Sequence, residues 1–330
     1  MGWRCGIVGL PNAGKTTIFN ALTAAQAEVA VYPFCTITPN SGVVPVPDAR
    51  LAQLGELLQP ERLTPTTITF VDVAGLIAGA SKGEGLGNQF LGQIRETDLI
   101  VHVVRCFPDS RCPHPLGELD PGRDVDIVET ELLLADLEIL ERYRVKLEKR
   151  QKGGDKKAAA ALETVARVTD GLNQGRWVRD QNLAPVELVH LEEVALLTSK
   201  PYLFVANLSE EEYRGGACYQ ALQALGEQRR VPVIPILGDL EAELSDFSPE
   251  EQREFLQSLG LAEPGINRLI RESYRLLGLV TFYTIVGPEV RAWTVPPGRG
   301  AGPLRYGERV HPGRGDAVFR LGPPGLRGQD

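Results

Sequence analysis

The chain has 330 residues, 43% hydrophobic and 24% charged, and 35 basic residues against 43 acidic ones give it a formal charge of −8. Such a chain is long enough to bury a sizeable core in two or three globular domains, and its acidity excludes a globally basic nucleic-acid binder. No apolar run approaches the ~18 residues of a membrane span, and the start lacks the apolar core of a signal peptide. Five cysteines without a close CxxC pair read as reduced cytosolic thiols, not as a zinc site.

In chain order, residues 3–8 (Trp-Arg-Cys-Gly-Ile-Val) predict a short buried strand running into a glycine-containing loop. Ile18, Phe19 and Leu22 give Thr16–Ala25 one apolar helical face. Apolar, β-branched runs at Thr67–Val73, Asp98–Val104, Pro201–Ala206 and Val231–Leu237 predict further strands. Strands alternating with helices give an α/β class with a mostly parallel sheet. From about Asp126 to Lys200 the composition shifts to Glu, Leu, Ala, Lys and Arg, with no proline between Asp126 and Leu183. Leu133, Leu137, Leu140 and Leu147 fall on one helical stripe, and Gly153-Gly154-Asp155 breaks it before a second, Ala-rich helix. A helical hairpin projecting from between the strands is expected, with the charges of Lys146–Lys157 at its solvated tip. The last 35 residues, Pro296–Asp330, hold 9 Gly, 6 Pro and 6 Arg, a composition that can hardly bury enough surface to order itself.

The chemistry begins at Gly9-Leu-Pro-Asn-Ala-Gly14-Lys15-Thr16, which fits GxxxxGK[ST] between a predicted strand and a predicted helix. The glycines let successive N–H groups face phosphate oxygens, Lys15 reaches the β- and γ-phosphates, and the Thr16 hydroxyl is offered to Mg²⁺. Asp72-Val-Ala-Gly75 ends another apolar strand; Asp72 can hold the same metal, and the Gly75 amide can meet the γ-phosphate. Within Phe34–Asn40, Thr36 is the best candidate for a second hydroxyl ligand on the metal, with Thr38 its nearest competitor. Phosphoryl transfer to water is the implied reaction. In Ras-like enzymes a Gln follows the DxxG glycine and orients the attacking water; here that position is Leu76, which cannot hydrogen-bond, so hydrolysis is expected to be slow or to use another group. His114, in the loop Pro108–Pro121, is the polar candidate.

Base reading in GTPases uses NKxD, whose Asp accepts two hydrogen bonds from guanine. This chain has Asn207-Leu208-Ser209-Glu210. The Lys is replaced by Leu208 and the Asp by a longer Glu, which removes the enforcement of guanine and leans towards ATP; a GTPase with degenerate base recognition and a non-hydrolysing ATP-binding adaptor are the alternatives.

These segments, with Gly79-Ala-Ser-Lys-Gly-Glu-Gly-Leu-Gly-Asn-Gln-Phe90, His102–Phe107 and Glu289–Thr294, resemble the YchF/Obg-like ATPase family from Met1 to about Thr294. The resemblance implies a P-loop NTPase that prefers ATP, with an OBG-type G domain at 1–125 and 201–277. It also implies a coiled-coil insert at 126–200 and a C-terminal TGS (β-grasp-like) domain, here an incomplete region at 278–330 with a disordered tail. Nucleotide contacts are expected from Asn12, Ala13, Gly14, Lys15, Thr16, Thr17, Asn207, Leu208 and Glu210, metal contacts from Thr16, Thr36 and Asp72, and catalytic roles for Lys15, Gly75 and His114. His114 falls where the family has a loop histidine, and Asn12 where related NTPases carry the Asn that accompanies K⁺. Mg²⁺ and K⁺ are thus the expected ions, ATP and the ribosome or its large subunit the expected partners. A cytoplasmic monomer without DNA or membrane contacts is expected. Two departures stand out: Ile236-Leu237-Gly238 is a poor match to the family's small-residue base loop, and the Gly-Phe-Ile-Arg-Ala-Glu segment of the TGS domain is absent. A shifted reading frame near Arg299–Arg309 and a genuine Arg/Gly-rich tail both account for the latter.

Overall fold

The computed structural model describes residues 2–24, 40–73, 86–109, 112–244, 247–296 and 317–319. Its main sheet has the order β2-β4-β1-β5-β6-β7, built from β1 (Arg4–Val8), β2 (Ser41–Pro45), β4 (Thr67–Asp72), β5 (Leu99–Cys106), β6 (Tyr202–Leu208) and β7 (Val233–Ile236). Every pairing is parallel except β2 on β4. The central strands carry continuous apolar runs because both faces are covered, and every residue of β5 and β6 is buried.

One face is closed by α1 (Lys15–Ala24) and α11 (Gly265–Leu276), whose Ile18, Leu22, Ile266 and Leu269 pack on Ile7, Val101 and Val205. The other is closed by α3 (Leu86–Arg95), α4 (Pro121–Lys152) and α8 (Ala217–Arg229), through Leu91, Ile94, Val125, Val128 and Leu222. Between and beyond these lie α2 (Ala49–Leu58), α5 (Lys156–Asn173), α6 (Pro185–His190), α7 (Glu210–Tyr213), α9 (Gly238–Leu244) and α10 (Pro249–Ser258).

The connection from β5 to β6 carries the helical hairpin. Asp120 caps α4 by accepting from the Arg123 amide, and Pro121 opens the helix where its missing N–H costs nothing. The helix starts at Pro121, ahead of the compositional shift at Asp126, and its first turns belong to the main core through Val125, Val128, Leu132 and Ala135. Further along, Leu140, Tyr143 and Leu147 pack against Ala158, Ala161, Val165 and Leu172 of α5. Leu133 and Leu137 of the predicted stripe are partly buried there. The chain turns at Gly153-Gly154, and Asp155 caps α5 at the Lys157 amide. Asp136, fully buried on α4, ties this unit back by accepting from the Leu197 and Thr198 amides (2.8 Å each) and the Thr198 hydroxyl (2.7 Å).

A second, four-stranded sheet has the order β10-β8-β9-β3, from β3 (Arg62–Thr64), β8 (Val280–Val286), β9 (Glu289–Val295) and β10 (Ala317–Phe319). β8 and β9 form an antiparallel hairpin, and Tyr283, Val290 and Ala292 bury one face against Leu51 of α2. The three residues of β10 pair with β8, so this much of the Pro296–Asp330 stretch is ordered, contrary to its composition; a ready β8 edge supplies the pairing that the segment's own apolar content does not. The rest of that stretch beyond Pro296 lies outside the described residues.

Candidate functional site

Parallel α/β sheets place ligand sites at the carboxyl ends of their strands, and three motif segments converge there. β1 ends at Val8 beside β4, where Ile7 is in register with Asp72, so the loop after β1 and the acidic residue that ends β4 become neighbours. The Thr16 hydroxyl, at the start of α1, donates to Asp72 Oδ2 at 2.9 Å. A hydroxyl and a carboxylate at this spacing are the hard oxygen donors that Mg²⁺ takes; the residues present fit the ion. Lys15 is 7% exposed, and its ammonium donates to the Leu10 carbonyl at 2.8 Å. Burial lowers its pKa, and nearby Asp72 partly offsets that.

The loop is shaped by backbone that few side chains tolerate. Gly14 sits at φ +88°, and a Cβ there would lie 2.0 Å from Asn207 Nδ2. That close approach accompanies a pair of hydrogen bonds: Asn207, 3% exposed, donates from Nδ2 to the Ala13 carbonyl at 3.0 Å and accepts from the Gly238 amide at 3.3 Å. One side chain therefore joins the phosphate loop Gly9–Thr16, β6 and the start of α9. Gly238 must also lack a side chain, since its Cβ would meet Asn207 Oδ1 at 2.7 Å. This is a use for Ile236-Leu237-Gly238 that the motif comparison missed.

The other two residues of the base motif separate from Asn207. Leu208 is 4% exposed and packs in the core cluster with Cys106 and Leu222. Glu210 opens α7 on the surface and pairs with Arg214 at 3.5 Å. Ala13 is buried, Thr17 half-buried and Asn12 exposed at φ +63°. Thr36, Gly75 and Leu76 lie outside the described residues.

His114 is held in its loop and is not exposed. Its Nε2 lies 2.8 Å from Asp124 Oδ2, its Nδ1 accepts from the Leu116 amide at 3.2 Å, and the side chains of His114 and Asp124 are each 3% exposed. The Leu116 N–H facing Nδ1 makes that nitrogen an acceptor, so Nε2 is the ring nitrogen that donates to Asp124. Burial raises the Asp124 pKa, while the bond from His114 lowers it. The same loop is bound to the phosphate loop: Asn12 Nδ2 donates to the Pro113 carbonyl at 3.2 Å. Sequence reasoning did not single out Arg105, at 2% exposure near the end of β5. Its guanidinium donates to the carbonyls of Phe107 (3.0 Å) and Asn12 (3.3 Å) and stacks 4.5 Å from the Phe107 ring, clamping the two loops together. An arginine inside the strand Leu-Ile-Val-His-Val-Val-Arg-Cys, where His102 is the one other polar residue, was the available signal.

Residues 4–140 match the family described as 50S ribosome-binding GTPase. The ribosome-binding ATPase YchF of Pasteurella multocida is 49% identical over 298 residues, covering 90% of this chain and 82% of that protein. The protein of the same name from Escherichia coli O157:H7 is 47% identical over the same shares, and that of Bacillus subtilis 42% identical over 301 residues. The solved structure of the Schizosaccharomyces pombe YchF GTPase superposes with a TM-score of 0.80 at 32% identity, covering 91% of this chain and 82% of that one.

Proposed function

This chain belongs to the YchF family, and from that premise we propose that it is a ribosome-associated, ATP-preferring switch that slowly hydrolyses ATP to ADP and phosphate. The observation that carries the reading is the Thr16–Asp72 pair beside Lys15 at the mouth of the phosphate loop. Lys15 and the loop amides neutralise charge on the β- and γ-phosphates. Thr16, Asp72 and Thr36 would hold Mg²⁺, which would supply positive charge to offset that of the phosphates. Gly75 senses the γ-phosphate. Slow turnover follows from Leu76, which cannot orient water, and leaves His114 as the polar group of the reaction. Asn12 is the residue that would serve K⁺: its side-chain nitrogen is engaged with Pro113, and its amide oxygen is the donor that would be offered to a monovalent cation.

The preference for ATP is supported by Asn207-Leu208-Ser209-Glu210. A leucine buried in the core cannot lie along a purine as the Lys of NKxD does, and a surface glutamate paired to Arg214 is poorly placed for bidentate contact with guanine. A GTPase reading is the competing one, favoured by the name of the fission-yeast relative. We read 1–125 with 201–277 as the nucleotide domain, 126–200 as the coiled-coil insert and 278–330 as an incomplete TGS region. Ribosome association rests on what the bacterial relatives are named for. A monomer in the cytoplasm is the proposed state; among the described residues no helix is long and apolar enough to cross a membrane.

The test is a His114→Ala variant assayed for ATP hydrolysis with and without ribosomes. Loss of turnover with retained ATP binding supports the reading, and unchanged turnover removes His114 from it. Equal co-sedimentation of the wild-type protein with and without ribosomal particles would contradict the ribosome association.

A further inference from the structure

His114 and Asp124 form a contact that the hydrolysis reading leaves unused. Both side chains are almost sealed from solvent, at 3% exposure each, and 2.8 Å separates Nε2 from Oδ2. The Leu116 amide holds the other ring nitrogen. With Nε2–H given to a carboxylate and Nδ1 taken by a backbone donor, the ring has no nitrogen left to orient a water molecule. Asp124 itself is secured: it stands in the first turn of α4, where the helix dipole favours an anion, and Arg123 Nη2 lies 3.4 Å from its Oδ1 while also donating to the Glu118 carbonyl. The loop carrying the histidine is meanwhile bound to the phosphate loop through Asn12 and Arg105.

We propose that Asp124 is a positioning residue that parks His114 against helix α4, away from the reaction, so that hydrolysis waits on breaking the Nε2–Oδ2 contact. This rests on His114 being the catalytic group of the ATPase reading. Slow basal turnover then has a second cause besides Leu76: the group that would orient water is stored in a hydrogen bond to a charged acceptor, stronger than one between neutral groups. The helix that holds it runs unbroken from the main core, at Val125 and Val128, to the hairpin core, at Leu140 and Leu147. A load on the hairpin therefore acts on the same rigid element that carries the acceptor.

The experiment compares wild type, Asp124→Ala, Asp124→Asn, His114→Ala and the His114→Ala/Asp124→Ala double variant, each as the full chain. kcat and KM for ATP are measured, together with the ring ¹⁵N shifts of His114 from long-range ¹H–¹⁵N correlation. In wild type, His114 shows a protonated Nε2 and a bare Nδ1. Asp124→Ala loses that fixed signature and raises kcat by about tenfold with KM unchanged, the size expected for removing one charge-assisted hydrogen bond from the stored state. The double variant falls to the level of His114→Ala. Asp124→Asn, whose side-chain oxygen still accepts from Nε2–H, keeps the signature with a smaller rise, and serves if the alanine variant does not fold. A fall in kcat in Asp124→Ala, or no change while His114→Ala is impaired, overturns the parking role alone. Unchanged kcat in His114→Ala overturns the catalytic reading of the histidine and the parking with it.

Discussion

Replacing Asn207 by alanine removes a side chain that joins the phosphate loop to the start of α9. Two hydrogen bonds are lost, to the Ala13 carbonyl at 3.0 Å and from the Gly238 amide at 3.3 Å. Both partners belong to buried residues, so truncation leaves an acceptor and a donor without their protein partner. A neutral bond contributes about 0.5–1.5 kcal/mol net, and a buried group left unpaired costs about 1–3 kcal/mol. The 3.3 Å contact is the weaker of the two, which puts the loss of folding stability at about 2–4 kcal/mol. Nucleotide binding needs the same two segments in register, so re-ordering them costs the order of one to two neutral bonds, or about a 5- to 30-fold weaker Kd for ATP. Urea unfolding gives the first quantity, and titration with a fluorescent ATP analogue gives the second. A stability change below about 0.5 kcal/mol together with an unaltered Kd would refute the linking role of Asn207.

Three further outcomes follow from other parts of the molecule. Asp136→Ala strips three donors of a fully buried acceptor and is expected to cost about 3–5 kcal/mol in urea unfolding; because the contact ties α4 to the segment after the hairpin and not to the phosphate loop, the Kd for ATP of the folded fraction should stay within about twofold. Glu241 on α9 is 4% exposed, accepts from the Gly265 amide at the start of α11, and burial pushes its pKa up to about 7. Its carboxyl thus holds a proton more tightly folded than unfolded, so its contribution favours the folded state at low pH and fades as pH rises from about 4.5 to 7, with no further change above. Thermal melts of Glu241→Gln, which does not titrate, should gain on wild type across that window by an amount of order 1–3 kcal/mol; parallel pH profiles would count against it. Gly238→Ala should weaken ATP binding through the 2.7 Å approach of its Cβ to Asn207 Oδ1, and a Kd equal to wild type by the same titration would refute the packing argument.

Much of this architecture is visible in the order of residues because its signals are local. The strand before Gly9, the glycine spacing to Lys15 and the apolar run ending at Asp72 each lie within a few residues, and the sheet register then brings Thr16 to Asp72. The hairpin was equally legible, since Leu140 and Leu147 repeat on one face and Gly153-Gly154 breaks the helix. Contacts made across the chain were not. β3 is only three residues, two of them exposed, and pairs with β9 more than two hundred residues away; no periodicity announces such a strand. β2 pairs antiparallel with β4 in an otherwise parallel sheet, a choice set by the neighbouring strand. His114 reads in sequence as a loop histidine free to meet solvent; its burial depends on Asp124, whose helix registers only as a capped, charged segment. Leu208, read as the replacement of a base-facing lysine, belongs to the apolar run of β6 and follows that strand into the core.

The measurement that bears most directly on the proposed activity is a paired titration of ATP and GTP against the purified chain, with phosphate release followed in K⁺ and in Na⁺. Tighter binding of ATP and faster turnover in K⁺ are expected from Asn207–Glu210 and Asn12 together. Tighter binding of GTP, or ATP bound without turnover in either salt, would contradict an ATP-hydrolysing switch.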